Sequence, residues 1–267
     1  MTTPIILFSI PRSGSTLLCG LLNQHNDFRV IEGSLSIGIS NAIRNVFYTN
    51  AKSLATNQQK ECLKVLKASL HSYLNSSHKF VFDKNREWLF YLDIADQVFE
   101  KYKVVVLVRD PVECVSSFLR LKEKEPITYT AYESDLVKQE NFPTTIGLVE
   151  EFMSYKGAIG RTYNALYEAS IVQNRAKDFL FVDYHKLCAK PQMQLNRICD
   201  FINATPCGFQ TNNIKNANKQ LDRHYGMYDT MHTIEKEMRQ GKTDLGRVAP
   251  FAQDIKERFK IFWEEWT

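Results

Sequence analysis

Long hydrophobic runs are missing from this chain of 267 residues. Its most apolar segment, residues 104–108, is far shorter than the roughly 20 residues that cross a bilayer. No basic stretch precedes the first apolar run, at residues 4–10, as a secretory leader would require. We therefore expect a cytoplasmic protein that does not associate with a membrane.

A strong excess of charge of one sign is also missing. The 34 Lys and Arg residues face 30 Asp and Glu residues, so the net charge of +4 is too small for a general role in binding nucleic acid. The six cysteines form no CxxC pair, and Cys19 and Cys114 lie within apolar patterns. We therefore expect buried, reduced thiols rather than disulfides or a zinc site.

Hydrophobic periodicity predicts strands that alternate with helices. The predicted strands are residues 4–10, 79–83, 103–108 and 178–182, and the predicted helices are a first helix through 17–22 and then 36–48, 58–75, 88–99, 112–121, 144–174, 191–202 and 251–266. Residues 122–143 are polar and are expected to form a loop or lid. This alternation predicts one α/β domain over residues 1–267, with a parallel sheet covered by helices on both faces. Ligands of such sheets bind beyond the carboxyl ends of the strands.

The turn between the first strand and the first helix is small and rich in hydrogen-bond donors. It contains Arg12, Ser13, Gly14, Ser15 and Thr16. A helix N-terminus carries unpaired N–H groups and a partial positive charge, so a turn of this composition predicts a phosphate or sulfate site. A capped helix after a tight turn is the structural alternative.

Two nucleotide-binding families offer a comparison for this turn. The P-loop of nucleoside triphosphatases requires a lysine after its last glycine, whereas Ser15 follows Gly14 here. The segment PRSGSTL, residues 11–17, instead resembles the 5′-phosphosulfate loop of sulfotransferases that use 3′-phosphoadenosine 5′-phosphosulfate. In the tyrosylprotein and glycan enzymes of that family the loop reads PRSGTTL.

A second segment strengthens this resemblance. The strand VVVLV is followed by Arg109 and Asp110, and Ser117 lies eight residues past the arginine. This spacing resembles the 3′-phosphate motif of the same family, and the strand end and the following helix are expected to turn Arg109 and Ser117 toward one anion. Asp110 as a magnesium ligand of a kinase or GTPase is the alternative for this segment.

The resemblance also implies candidates for the chemistry. It implies that Lys84, after the second predicted strand, contacts the bridging oxygen of the donor, and that Arg12 contacts the 5′-phosphosulfate. It implies that Glu32 is the base that activates the acceptor, if one residue is dropped from the intervening loop. His25 is the rival base, because other sulfotransferases use histidine, although its place at the end of the first helix favours a surface position or an interaction with the C-terminal dipole of that helix.

Two further family elements are matched in part. Tyr184, after the fourth predicted strand, resembles the tyrosine of the family's VxYEDL element, which packs near the nucleotide. The acidic pair of that element is replaced by His185 and Lys186. A C-terminal segment with basic residues around a glycine corresponds only loosely to further 3′-phosphate donors of the family; its candidates are Arg239, Lys242 and Arg247.

The resemblance implies a sulfotransferase with a P-loop-like fold. Its implied donor is 3′-phosphoadenosine 5′-phosphosulfate, with adenosine 3′,5′-bisphosphate as product, no metal, and a small-molecule, carbohydrate or tyrosyl peptide acceptor. A magnesium-dependent P-loop kinase and a non-catalytic nucleotide-binding protein are the alternatives. The interpretation requires Arg12 and Arg109 to lie close enough to share one nucleotide.

Overall fold

The computed structural model of the chain describes residues 2–124, 144–215, 232–234 and 244–259. Its strands are β1 (Thr3–Ser9), β2 (Phe28–Glu32), β3 (Phe80–Lys84), β4 (Lys103–Val108) and β5 (Phe179–Asp183). Its α-helices are α1 (Ser15–Leu22), α2 (Ser36–Thr49), α3 (Ala51–Ala55), α4 (Cys62–Leu74), α5 (Leu92–Val98), α6 (Pro111–Lys124), α7 (Thr145–Met153), α8 (Ala158–Tyr167), α9 (Tyr184–Ala189), α10 (Pro191–Ile202) and α11 (Ala252–Arg258).

The five strands form one parallel sheet in the order β2-β3-β1-β4-β5. β1 lies at the centre and pairs with both β3 and β4. Because all strands run in one direction, their carboxyl ends meet at a single edge of the sheet. This architecture confirms the predicted α/β fold with a parallel sheet between helices.

Apolar side chains of β1 alternate between the two faces of the sheet and enter two separate cores. Ile6 and Phe8 belong to a core that is covered by α2, α4, α5, α6, α7, α8 and α11. Ile5 and Leu7 belong to a core that is covered by α1, α9 and α10. Since a strand buried on both faces needs an unbroken apolar run, this packing explains the composition of β1.

Strand β2 was not predicted. It is an edge strand of five residues, and only Phe28 in it is fully buried. Its sequence FRVIE carries charge at two positions, so the apolar signal that marks the central strands is absent. The missed strand places Glu32 at a strand end rather than in a loop.

The prediction of one helix over residues 144–174 is wrong. The chain forms α7, then a bend, then α8 and a π-helical turn at Glu168–Val172. A Cβ at Gly157 would lie 2.0 Å from the Glu151 carbonyl oxygen, and one at Gly160 would lie 2.2 Å from the Ser154 carbonyl oxygen. Because neither glycine carries a Cβ, the backbone at the start of α8 can lie directly against the carbonyl groups at the end of α7, and the chain bends between the two helices.

Smaller differences concern the ends of other helices. The predicted helices at 58–75 and 88–99 each begin as a 3-10 turn, at Gln58–Glu61 and Trp88–Phe90. The predicted lid at 122–143 begins inside α6, and residues 125–143 lie outside the described residues. The predicted C-terminal helix is present as α11, and residues 260–267 lie outside the described residues.

The six cysteines are all free, and five of them are buried. The burial of five thiols agrees with the prediction of buried cysteines, whereas Cys207 is only half-buried. None of the helices described has both the length and the apolar character required to cross a bilayer.

Candidate active site

The carboxyl edge of the sheet gathers residues from five separate segments. Arg12 to Thr16 follow β1, Glu32 ends β2 and Lys84 ends β3. Arg109 follows β4, and Tyr184 follows β5. The predicted site residues therefore lie at one edge, as expected for a parallel sheet.

The turn after β1 has an unusual backbone. Arg12 and Gly14 both have positive φ values, +66° and +90°. The Ser13 backbone N–H and the Ser13 hydroxyl both donate to the Ile10 carbonyl, at 3.1 and 2.6 Å. The Ser13 side chain is fully buried, so its hydroxyl closes the turn and its proton is not directed to a ligand.

The N-terminus of α1 is not capped by any side chain of the described residues. The first hydrogen bond of the helix runs from the Leu18 N–H to the Gly14 carbonyl. The N–H groups of residues 15–17 therefore have no acceptor within the helix. Within the described part of the chain, the hydroxyls of Ser15 and Thr16 make no hydrogen bond. These donors fit a phosphate or sulfate group at the start of α1.

Two guanidinium groups join the ends of β1 and β4. The Arg12 Nε donates to the Ser117 hydroxyl of α6 at 3.0 Å, and the Arg109 Nη1 donates to the Arg12 carbonyl at 2.9 Å. The two segments that the interpretation assigns to one nucleotide are therefore in direct contact.

Positive charge is concentrated around Arg12. Burial lowers the pKa of Arg12 to about 10, and the charge of Arg109 adds to this decrease, with smaller effects from Arg86 and Arg120. The guanidinium still carries its charge at neutral pH. Mutual repulsion among these arginines is relieved when an anion binds between them, which favours a polyanionic ligand.

Arg109 is held on several sides. Its Nε donates to Glu113 Oε2 at 2.9 Å, and both side chains are buried. Its guanidinium carbon lies 4.3 Å above the centre of the Tyr184 ring, a cation–π arrangement. The Tyr163 hydroxyl donates to the Arg109 carbonyl at 3.0 Å. These contacts fix the direction of the guanidinium group.

Gly14 is required for a reason that the sequence did not show. A Cβ at this position would lie 2.5 Å from two carbons of the Tyr184 ring. Tyr184 therefore packs directly on the turn after β1 and also on Arg109. The ring links the first and last strands of the site.

Glu32 and Lys84 are register partners on β2 and β3, so their side chains share one face of the sheet. Lys84 is 8% exposed. The turn after Glu32 is fixed to β3, because the Ser34 N–H donates to the Lys84 carbonyl at 3.3 Å and Asn85 Nδ2 donates to the Ser34 carbonyl at 2.8 Å. The carboxylate and the ammonium group are thus brought to the same part of the site.

His25 lies away from this pair. It stacks on Phe28, the first residue of β2, and its Nε2 lies 2.8 Å from the Thr205 carbonyl oxygen. Phe28 and Glu32 are four residues apart on a strand, or about 13 Å at roughly 3.3 Å per residue. His25 is also buried, so the expected surface position is wrong and the residue is poorly placed to act as a base.

Other candidates take structural positions. An Asp110 carboxylate oxygen accepts from the Val112 N–H at the start of α6, and burial raises the pKa of Asp110. Arg247 donates to Glu123 and Thr145. Arg239 and Lys242 lie outside the described residues. Among the residues that are described, no three His, Cys, Asp or Glu side chains are grouped as a metal ion would need.

Glu113 and His185 belong to the site but were not predicted. His185 Nε2 lies 2.8 Å from the same Glu113 oxygen that Arg109 contacts. A signal was present for Glu113, since it lies only four residues after Arg109, in the first turn of α6. His185 comes close to Glu113 only through the pairing of β4 with β5, which the sequence does not specify.

The sequence profile of the sulfotransferase family matches residues 4–206, which includes the five segments at the carboxyl edge of the sheet and leaves out the C-terminal candidates Arg239, Lys242 and Arg247. The chain belongs to the sulfotransferase family. It is an enzyme that acts as a sulfotransferase, and the motifs at residues 11–17 and 109–117 lie within the matched region. A search of curated protein sequences found no match.

Solved structures show the same fold at low sequence identity. A sulfotransferase from Alicyclobacillus acidocaldarius has a TM-score of 0.50 and 15% identity, over 99% of this chain and 96% of that chain. Sulfotransferase STF9 from Mycobacterium avium has a TM-score of 0.52 and 13% identity, over 98% of this chain and 77% of that chain. These similarities establish the P-loop-like fold of this sulfotransferase.

Proposed function

We propose that the enzyme transfers a sulfuryl group from 3′-phosphoadenosine 5′-phosphosulfate to the hydroxyl of a small-molecule or carbohydrate acceptor. The observation that carries this proposal is the contact between two anion-binding segments. Arg12 bonds to Ser117, and Arg109 bonds to the Arg12 carbonyl. A nucleotide with phosphate groups at both its 3′ and 5′ positions matches two such segments better than a simple nucleoside triphosphate does.

The first segment is proposed to hold the 5′-phosphosulfate. The N–H groups at the start of α1 and the hydroxyls of Ser15 and Thr16 are proposed to donate to one anion, and Arg12 supplies a positive charge. The Ser13 hydroxyl is bonded to Ile10, so Ser13 contributes through the shape of the turn. Gly14 allows the turn and the packing of Tyr184.

The second segment is proposed to hold the 3′-phosphate. Arg109 and Ser117 follow β4, and Tyr184 covers the guanidinium group of Arg109. The nucleotide carries roughly four negative charges, with about −2 on a phosphomonoester at neutral pH. Arg12, Lys84 and Arg109 supply positive charge against this negative charge, part of the Arg109 charge being balanced by Glu113, and Arg86 and Arg120 add to the local positive charge.

Lys84 and Glu32 are proposed to perform the chemistry. The donor supplies the sulfuryl group. Glu32 takes the proton of the acceptor hydroxyl as its oxygen bonds to sulfur, and Lys84 stabilises the charge on the bridging oxygen as the bond between that oxygen and sulfur breaks. Their shared face on neighbouring strands supports this division of roles.

Ligand-dependent thermal stability tests the proposal. Adenosine 3′,5′-bisphosphate is expected to raise the melting temperature without any metal, because a ligand that binds only the folded state stabilises it. Stabilisation by ATP only with magnesium would instead indicate a kinase or hydrolase. Transfer of radiolabelled sulfate to a panel of sugars, phenols, alcohols and tyrosyl peptides then identifies the acceptor, and binding without any transfer would indicate a non-catalytic protein.

A further inference from the structure

A buried carboxylate connects the proposed 3′-phosphate site to the protein surface. Glu113 Oε2 accepts from Arg109 Nε at 2.9 Å and lies 2.8 Å from His185 Nε2. The side chains of Arg109 and Glu113 are 7% and 6% exposed, whereas His185 is 29% exposed. His185 is therefore the outer member of a network whose inner members are buried.

The network fixes the orientation of the Arg109 guanidinium group. Glu113 holds its Nε, and the Arg12 carbonyl holds its Nη1. A buried carboxylate needs hydrogen-bond donors around it, and the N–H group of His185 supplies one besides Arg109. Without that donor, Glu113 would be less well fixed, and so would the arginine that it holds.

His185 also packs on the other neighbour of Arg109. Its ring contacts the Tyr184 ring edge to face, with centroids 5.3 Å apart, and Tyr184 lies under the Arg109 guanidinium. His185 thus supports Arg109 from two directions, through Glu113 and through Tyr184. A glutamate, as in the VxYEDL element that this segment resembles, would place a second negative charge beside Glu113.

We propose that His185 is a positioning residue for the 3′-phosphate of the donor, acting through Glu113 on Arg109. This inference rests on the proposed function, in which Arg109 contacts that phosphate. It predicts that His185 affects the recognition of the 3′-phosphate and leaves the recognition of the rest of the nucleotide unchanged.

Two variants separate the hydrogen bond from the volume of the ring. His185→Phe keeps an aromatic ring against Tyr184 and removes the donor to Glu113. His185→Gln keeps an N–H donor of similar reach. The dissociation constants of adenosine 3′,5′-bisphosphate and adenosine 5′-monophosphate are measured by calorimetry for each protein, so the readout is independent of turnover.

His185→Phe is expected to weaken binding of the bisphosphate about fivefold or more and to change binding of the monophosphate by less than about twofold, since the lost hydrogen bond involves a charged group. His185→Gln is expected to restore most of the bisphosphate affinity. His71→Phe is the matched control. Like His185, His71 forms a hydrogen bond through Nε2, to the Val98 carbonyl, and its ring contacts an aromatic ring, that of Phe99.

The outcomes distinguish the two proposals. Wild-type protein that binds both nucleotides equally would overturn the proposed function, and this inference with it. A wild-type preference for the bisphosphate that His185→Phe retains would overturn this inference alone. If His185→Phe lowers the melting temperature, His185→Glu is the second variant, because it places a negative charge beside Glu113. If His185→Glu binds the bisphosphate as tightly as His185→Gln does, the inference is also overturned.

Discussion

Glu32 and Lys84 face each other across the hydrogen-bonded pair of strands β2 and β3, each as the last residue of its strand. Burial raises the pKa of the Cys19 thiol of α1, and the charges of Lys84 and Glu32 both reach this thiol, the first lowering and the second raising its pKa. Burial is the largest of these effects. The proposed acid–base pair is thus close to the helix whose N-terminus is proposed to form the anion site.

This pairing makes Glu32 the first residue to test. Glu32→Gln is expected to lower kcat by about 10²–10⁴-fold, since the variant cannot accept the acceptor proton. The affinity for adenosine 3′,5′-bisphosphate should stay unchanged, because Gln keeps the size of the side chain. Steady-state kinetics with an identified acceptor and calorimetric titration give the two quantities.

Glu61→Gln is the control for this test, because Glu61 lies on the surface and pairs with the exposed Lys64. It should retain full turnover. If Glu32→Gln keeps wild-type turnover as well, Glu32 is not the base.

The central part of the site could be predicted from the sequence because its signals are local. Apolar runs mark β1 and β4, and a turn motif directly follows each of them at Arg12 and Arg109. Edge strand β2 gives a weaker signal, since a half-exposed strand contains charged residues. Its end residue Glu32 was identified only through the family resemblance.

Other features depend on contacts between distant segments. The packing of Tyr184 on Gly14 joins residues that are far apart in sequence, and no local pattern specifies it. The break between α7 and α8 had a local signal, because Ser154 follows the last residue of α7 and Gly157, three residues later, precedes the first residue of α8. The apolar periodicity on both sides of this glycine outweighed that signal in the prediction of one helix.

The contact between Gly14 and Tyr184 leads to a prediction about stability. Gly14→Ala is expected to destabilise the fold by about 2 kcal/mol or more, because a residue with a Cβ at positive φ costs about 1–2 kcal/mol and the Cβ would clash with Tyr184. Chemical denaturation measures the change. The variant should also bind adenosine 3′,5′-bisphosphate more weakly.

Gly38→Ala is the matched control, since Gly38 lies in helix α2 and a Cβ there meets nothing of the described chain within 4 Å. It should stabilise the protein by about 0.5–1 kcal/mol. In the background of Tyr184→Ala the clash is absent, so Gly14→Ala should there lower the stability by the backbone cost alone. Equal stabilities of the two glycine variants would contradict the packing described here.

The bond between Arg12 and Ser117 gives a third prediction. Ser117→Ala removes the acceptor of the Arg12 Nε–H, and a hydrogen bond to a charged group is worth about 1.5 kcal/mol. Binding of adenosine 3′,5′-bisphosphate should weaken about tenfold. Ser170→Ala removes a buried hydroxyl that bonds to the Leu166 carbonyl, outside the site, and its nucleotide affinity should match that of the wild type. A wild-type affinity in Ser117→Ala would argue against a role of Ser117 in holding the 3′-phosphate.

The buried carboxylate of Asp83 makes stability depend on pH. Asp83 is 1% exposed and accepts from the Ser36 hydroxyl at 2.6 Å, and burial raises its pKa. The folded chain therefore keeps the Asp83 proton to a higher pH than the unfolded chain does. At a pH between the unfolded-state and folded-state pKa values of Asp83, the folded chain binds more protons than the unfolded chain. The free energy of unfolding therefore decreases as the pH rises through this range, and the decrease is complete above the folded-state pKa.

Asp83→Asn removes that titration. The difference in the free energy of unfolding between the variant and the wild type should move in favour of the variant as the pH rises above about 4, near the ordinary aspartate pKa. A constant offset from the substitution itself does not affect this slope. Asp200→Asn, at an exposed position, is the control for replacing a carboxylate by an amide. A difference for Asp83→Asn that is independent of pH would mean that Asp83 titrates alike in the folded and unfolded chains, contrary to its burial beneath Ser36.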